Sequence, residues 1–82
     1  MTTFRVAAAQ FATGTDVAEN LATTAAMLNT AADTGARVVV LPEVCNHLSV
    51  YDDADHAWAV AVDPEGTFVT SVRDVAADRG VW

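Results

Sequence analysis

Residues 37–43, Arg-Val-Val-Val-Leu-Pro-Glu, constrain this chain more than any other stretch: three valines and a leucine run unbroken into a proline and then a carboxylate. A strand with one face in water alternates apolar and polar side chains. An unbroken apolar run instead predicts a strand covered on both faces, as in a parallel sheet layered with helices. Pro42 ends the run, because proline has no N–H for the ladder and is confined to strand ends, edges and bulges. Glu43 is therefore expected just past the carboxyl end of the strand, the edge where open α/β sheets bind ligands. A carboxylate in that place has two readings. It can accept hydrogen bonds from a nearby helix N-terminus, or it can move protons as a general base, a task that suits a carboxyl group partly shut away from water.

The flanking segments give the strand its layers. Phe4 to Gln10 is apolar and compact, and it predicts a first strand ending near Gln10 before Gly14. Asp16-Val-Ala-Glu19 reads as a capping pair, with Asp16 accepting from the free N–H groups of a first helical turn and Glu19 reaching back. Val17, Leu21, Ala25, Leu28 and Ala32 then recur at three- and four-residue intervals, an apolar stripe closed by Gly35, with Met27 as packing. Strand, helix and strand make a βαβ unit with parallel strands. After Pro64-Glu65-Gly66-Thr67, a turn and cap, the residues Phe68, Val72, Val75 and Ala76 repeat at helical spacing up to Gly80, and Val81 and Trp82 start a third strand. Val44 to Glu65 is the long irregular stretch, and Trp58 to Val62 within it fits a short helix or a strand equally well.

Length and composition bound the possibilities. The chain has 82 residues, one small domain at most, yet 52% of them are hydrophobic, a large apolar share for a small volume. The expectation is an incomplete domain, with residues 1–82 as its amino-terminal part. A net charge of −7 disfavours nucleic acid and anionic membrane as partners. All four basic residues are arginines, so lysine is absent. The single Cys45 cannot form an internal disulfide, and neither a leader-like start nor a span of about 20 apolar residues appears, so a soluble cytoplasmic protein is expected.

Taken in order, the opening Arg-Val-Ala-Ala-Ala-Gln strand, the capped helix ending in Gly-Ala-Arg, the strand Val-Val-Val-Leu-Pro-Glu and the helix closing in Ala-Asp-Arg-Gly-Val resemble the start of a nitrilase-superfamily carbon-nitrogen hydrolase. The resemblance covers nearly the whole chain and is weakest over residues 44–63. It implies an α/β fold, the amino-terminal β-α-β-α portion of an α-β-β-α sandwich, and hydrolysis of a non-peptide carbon-nitrogen bond in an amide or nitrile. It also implies a site of one glutamate, one lysine and one cysteine, with no cofactor, in a protein that forms homo-oligomers at full length. Glu43 matches the glutamate. The lysine and cysteine of the resembled family lie on later strands, so the chain is expected to be inert by itself.

Two local clusters tempt other readings. Glu43, Cys45 and His47 fall at i, i+2 and i+4 and would share one face of a continued strand. Same-face neighbours on a strand stand about 6.5–7 Å apart with parallel side chains, too far for a nucleophile and its base. A small buried side chain is therefore the expected role of Cys45. His47, Asp52, Asp53, Asp55 and His56 are metal-compatible types within ten residues, but their spacing fits neither a calcium loop nor a helical histidine pair, and no metal is assigned. Tyr51 and Trp58 flank this acidic loop and are expected to pack, with substrate contact as the other reading. Apart from hydrolysis, the chain fits a noncatalytic βαβ module that binds a small ligand or a partner; a metallohydrolase built on the loop acids ranks last.

Overall fold

The structure is a computed structural model and describes residues 2–82. Its elements in chain order are β1 (Arg5–Ala8), α1 (Val17–Asp33), β2 (Ala36–Val40), α2 (Ala54–Val60) and α3 (Thr67–Arg79). The strands β1 and β2 are parallel, with Val6 opposite Val38, Ala7 opposite Val39 and Ala8 opposite Val40. One more bond, from the Ala9 N–H to the Val40 carbonyl at 2.8 Å, carries the ladder past β1. A register shift after Arg5 leaves Arg37 without an opposite residue. Such a bulge breaks the alternation of β2, and both Ala36 and Val39 are buried in the core.

On the other edge of β2, the Trp82 N–H donates to the Arg37 carbonyl and the Val39 N–H donates to the Trp82 carbonyl, both at 2.8 Å. That pair of bonds is the pattern of a parallel ladder. The sheet itself has two strands, β1 and β2, so the third strand expected from Val81 and Trp82 is not formed within these residues, and only Trp82 bonds along the far edge of β2.

Local chemistry accounts for the helices. Asp16 caps α1, its Oδ1 accepting from the Glu19 N–H at 3.1 Å. At the other end of α1, Gly35 takes φ +89°, a left-handed conformation that glycine adopts at little cost, and turns the chain into β2. Helix α3 ends the same way at Gly80, with φ +65°. Of the ambiguous stretch 58–62, Trp58 to Val60 are the last residues of α2 and residues 61–62 lie outside it. Asp53 caps α2 by accepting from the His56 N–H at 2.7 Å. Helix α2 has no buried residue, and Trp58 is 86% exposed. The expectation that Trp58 packs is therefore corrected, since it lies on the outer side of a short, peripheral helix.

Ala9, Leu28, Ala31, Ala36, Val39 and Val81 form the core, joined by half-buried Val72, Val75 and Ala76 of α3. Both long helices therefore cover the same face of the sheet, and Arg79 ties them by donating to Asn29 Oδ1 at 2.8 Å and to Asp33 Oδ1 at 2.5 Å. The opposite face is open. Val6 and Val40 are each 62% exposed, with Trp82 and Phe4 beside them. The expectation that β2 is covered on both faces does not hold within these residues, because α1 and α3 pack side by side on one layer.

The buried stripe of α1 runs through Asn20, Thr24, Leu28 and Ala31, so its amino-terminal half carries two polar side chains. Thr24 is wholly buried, and among the described residues its Oγ1 has no hydrogen-bond partner. Leaving a buried hydroxyl unpaired costs about 1–3 kcal/mol, whereas valine keeps the shape without that cost. Thr24→Val is expected to stabilise the fold by about 1 kcal/mol, read as a higher urea midpoint. A lower midpoint would mean that Thr24 has a partner after all. Among the described residues, no helix is long and apolar enough to cross a membrane.

Candidate active site

Two segments leave the carboxyl edge of the sheet, residues 10–16 after β1 and residues 41–53 after β2. The second carries Glu43. Pro42 takes the chain out of β2, and residues 43–46 form a turn closed by a bond from the His47 N–H to the Val44 carbonyl at 3.2 Å. Val44, immediately after Glu43, has φ +50°. A β-branched residue is rarely found in that left-handed region, and holding one there costs on the order of 1–3 kcal/mol. Such a conformation persists only where the surroundings fix it.

Glu43 stands where the strand pattern places it, past the end of β2, but its side chain is exposed, not partly shut away from water as a general base would prefer. The residues around it are better held. Leu41 and Cys45, two positions to either side, line a shallow apolar groove with Phe68, Val69, Val72 and Arg73 of α3. Cys45 is half-buried there, less enclosed than the buried side chain expected of it. The turn also breaks any continued strand through residues 43–47. Glu43 points to solvent while His47 is 1% exposed, and among the described residues no hydrogen bond joins Glu43, Cys45 and His47.

His47 anchors the loop. Its Nδ1 lies 2.6 Å from the Leu48 carbonyl, which assigns the proton to that nitrogen in the neutral ring. Its ring stacks on Tyr51 at 5.5 Å between centroids, and His56 meets both rings edge-on, at 5.6 Å from His47 and 6.0 Å from Tyr51. Aromatic contacts of this geometry add packing energy beyond the area they bury. His56 is held in turn, its Nδ1 accepting from the Asp52 N–H at 3.0 Å. Tyr51 thus packs as expected. Among the described residues, no three His, Cys, Asp or Glu side chains come together in a metal-holding group.

The residue that sequence reasoning missed is Asn20. It is 4% exposed on α1, and its amide reaches both carboxyl-edge loops. Oδ1 accepts from the Gly14 N–H at 2.9 Å, and Nδ2 donates to the Gly14 carbonyl at 3.0 Å and to the Asn46 carbonyl at 2.8 Å. The Leu48 N–H donates to the same Gly14 carbonyl at 2.9 Å, so two bonds converge on one oxygen. A signal was available: a polar residue at position 20 sits four before Thr24 and eight before Leu28, on the buried side of the apolar stripe.

Residues 5–82 match the family described as carbon-nitrogen hydrolase. No curated protein and no solved structure matches the chain.

Proposed function

The chain belongs to the carbon-nitrogen hydrolase family, and from that premise we propose that it supplies the glutamate, Glu43, of a Glu-Lys-Cys site that cleaves an amide or nitrile. A cysteine thiolate attacks the amide or nitrile carbon, forming a carbon-sulfur bond and a covalent thioester or thioimidate. Glu43 takes the thiol proton and passes it to the nitrogen. An amide's C–N bond then breaks and the amine leaves, giving the thioester, whereas a nitrile's nitrogen stays bound in the thioimidate until a first water, activated by Glu43, displaces it as ammonia. A water activated by Glu43 then hydrolyses the thioester and frees the thiol. The lysine stabilises the negative charge that develops on the attacked group, an effect worth roughly 3–4 kcal/mol for a single well-placed donor. The observation that carries this reading is the position of Glu43, directly past the carboxyl end of β2 and inside the matched segment.

The 82 residues contain no lysine, and their one cysteine packs against α3. Arginine is a poor substitute, since its planar fork differs from an ammonium in shape and hydration. On this reading residues 1–82 are the amino-terminal part of one domain, and the open Val6 and Val40 face is where a second layer of the sandwich would pack. Lysine and nucleophile would come from later strands of the same fold. A homo-oligomer working in the cytoplasm on a small amide or nitrile is the corresponding picture of the full-length protein.

The 82-residue chain is expected to release no ammonia from simple amides or nitriles. Turnover by a preparation free of contaminating hydrolase would refute the assignment of lysine and cysteine to other residues. The exposure of Glu43 favours a second reading, a noncatalytic βαβ module that binds a small ligand or partner. A coding frame that closes directly after the Trp82 codon would support the module, and one that continues into lysine-bearing and then cysteine-bearing strand ends would support the hydrolase.

A further inference from the structure

We infer that Asn20 is a positioning residue for the candidate site: its amide clamps the loop after β1 to the turn that carries Glu43 and so fixes where that carboxylate stands. The inference rests on the reading of Glu43 as the proton-transfer group. The clamp itself rests on geometry alone.

Three features distinguish this amide from an ordinary buried asparagine. It bonds only to main-chain atoms of two separate loops, Gly14 on one side and Asn46 on the other, so it joins segments that no strand ladder connects. It accepts one bond through Oδ1 and donates two through Nδ2, a combination that aspartate and leucine, close to it in size, cannot reproduce. The Asn46 bond also lies two residues after the strained Val44, and the Leu48 to Gly14 bond lies two residues further on. The turn is therefore held from its downstream side at two points while Pro42 and β2 hold it upstream. A left-handed valine needs this kind of outside constraint. Without the clamp, the turn can relax Val44 toward an ordinary conformation, and Glu43, one residue away, moves with it.

Aspartate tests the clamp with little change in shape. Asn20→Asp keeps the acceptor for the Gly14 N–H but sets a carboxylate against the Gly14 and Asn46 carbonyls, where two donor bonds had been. In the 82-residue chain, exchange of the His47 and Leu48 amides, which bond to the Val44 and Gly14 carbonyls, is expected to rise about tenfold or more, a shift of about 1.4 kcal/mol or more in opening free energy, while Leu28 and Ala31 in the centre of α1 change less than about twofold. Thr24→Val, four residues along the same buried stripe, should leave the loop amides unchanged. Equal acceleration everywhere, or none at the loops, overturns the clamp. Should Asn20→Asp fail to fold, the unaltered chain still decides: the side-chain NH2 of Asn20 should exchange more slowly than those of Asn29 and Asn46, and equal rates for the three would refute it.

Positioning is read in the product of the complete coding frame. There Asn20→Asp is expected to lower kcat about 10- to 100-fold with KM within about threefold, because a displaced base slows the chemical step more than it weakens substrate binding. If Glu43→Gln abolishes turnover and Asn20→Asp leaves kcat intact, the positioning role fails and the reading of Glu43 stands. If Glu43→Gln keeps full turnover, the reading itself fails, and the positioning role with it, whatever the exchange data show.

Discussion

Leu28→Ala is expected to destabilise the 82-residue fold by about 2–5 kcal/mol, the range for removing a buried leucine side chain and leaving a cavity. Leu28 is 3% exposed and packs with Ala31 of its own helix, Ala36 and Val39 of β2 and Val81 beyond α3. It is the one long side chain in that buried cluster, the rest being alanines and valines. Met27 and Leu41, half-buried against the same cluster, are long enough to lean into part of the space, so the loss should fall near the middle of the range. For 82 residues, a typical domain stability of ~0.05–0.15 kcal/mol per residue gives about 4–12 kcal/mol in all. An open sheet face argues for the low end, where one such cavity unfolds a large fraction of the molecules. Urea unfolding followed by far-ultraviolet circular dichroism checks this. A midpoint within error of the parent would show that Leu28 is not in the centre of the core.

How far the sequence could lead differs from element to element, for physical reasons. Helix α1 was legible because its start is written in Asp16 and its end in Gly35, both local signals. The strand β2 was legible because an unbroken valine run leaves few alternatives. Coverage of β2 on both faces was not met within these residues: an apolar run records the surroundings of a strand in its whole fold, and here only α1 and α3 are present to cover it. Helix α2 was ambiguous because a seven-residue helix that buries nothing carries no apolar periodicity, and its one clear mark is the Asp53 cap. The left-handed Val44 runs against the preference of its own side chain, so no local rule could announce it. Glu43 could be named from its place after Pro42, but its exposure depends on what surrounds the strand end. Asn20 was overlooked for the reason that makes it informative, since a search for apolar periodicity passes over a polar residue at the start of the buried stripe.

The second large effect expected is catalytic. Glutamine at position 43 keeps nearly the shape of glutamate but can neither accept nor return a proton. A positioned general acid-base group contributes typically about 10²–10⁴ in rate. In a mechanism where one carboxylate serves the thiol, the leaving nitrogen and the water in turn, every step loses it, which places the expected loss at the upper end. Aspartate at position 43 would keep the chemistry but draw the carboxyl group back by one methylene, and a misplacement of about 1 Å can itself cost about 10²-fold. The fold should tolerate both changes, because the Glu43 side chain is exposed and makes no hydrogen bond among the described residues.

Ammonia release from a panel of simple amides and nitriles by the product of the complete coding frame, parent beside Glu43→Gln at equal folded concentration, tests the central claim most directly. The account predicts hydrolysis by the parent and a loss of about 10³-fold or more in the glutamine variant. Equal rates in the two proteins would contradict it and leave the carboxylate beyond β2 without a part in the reaction.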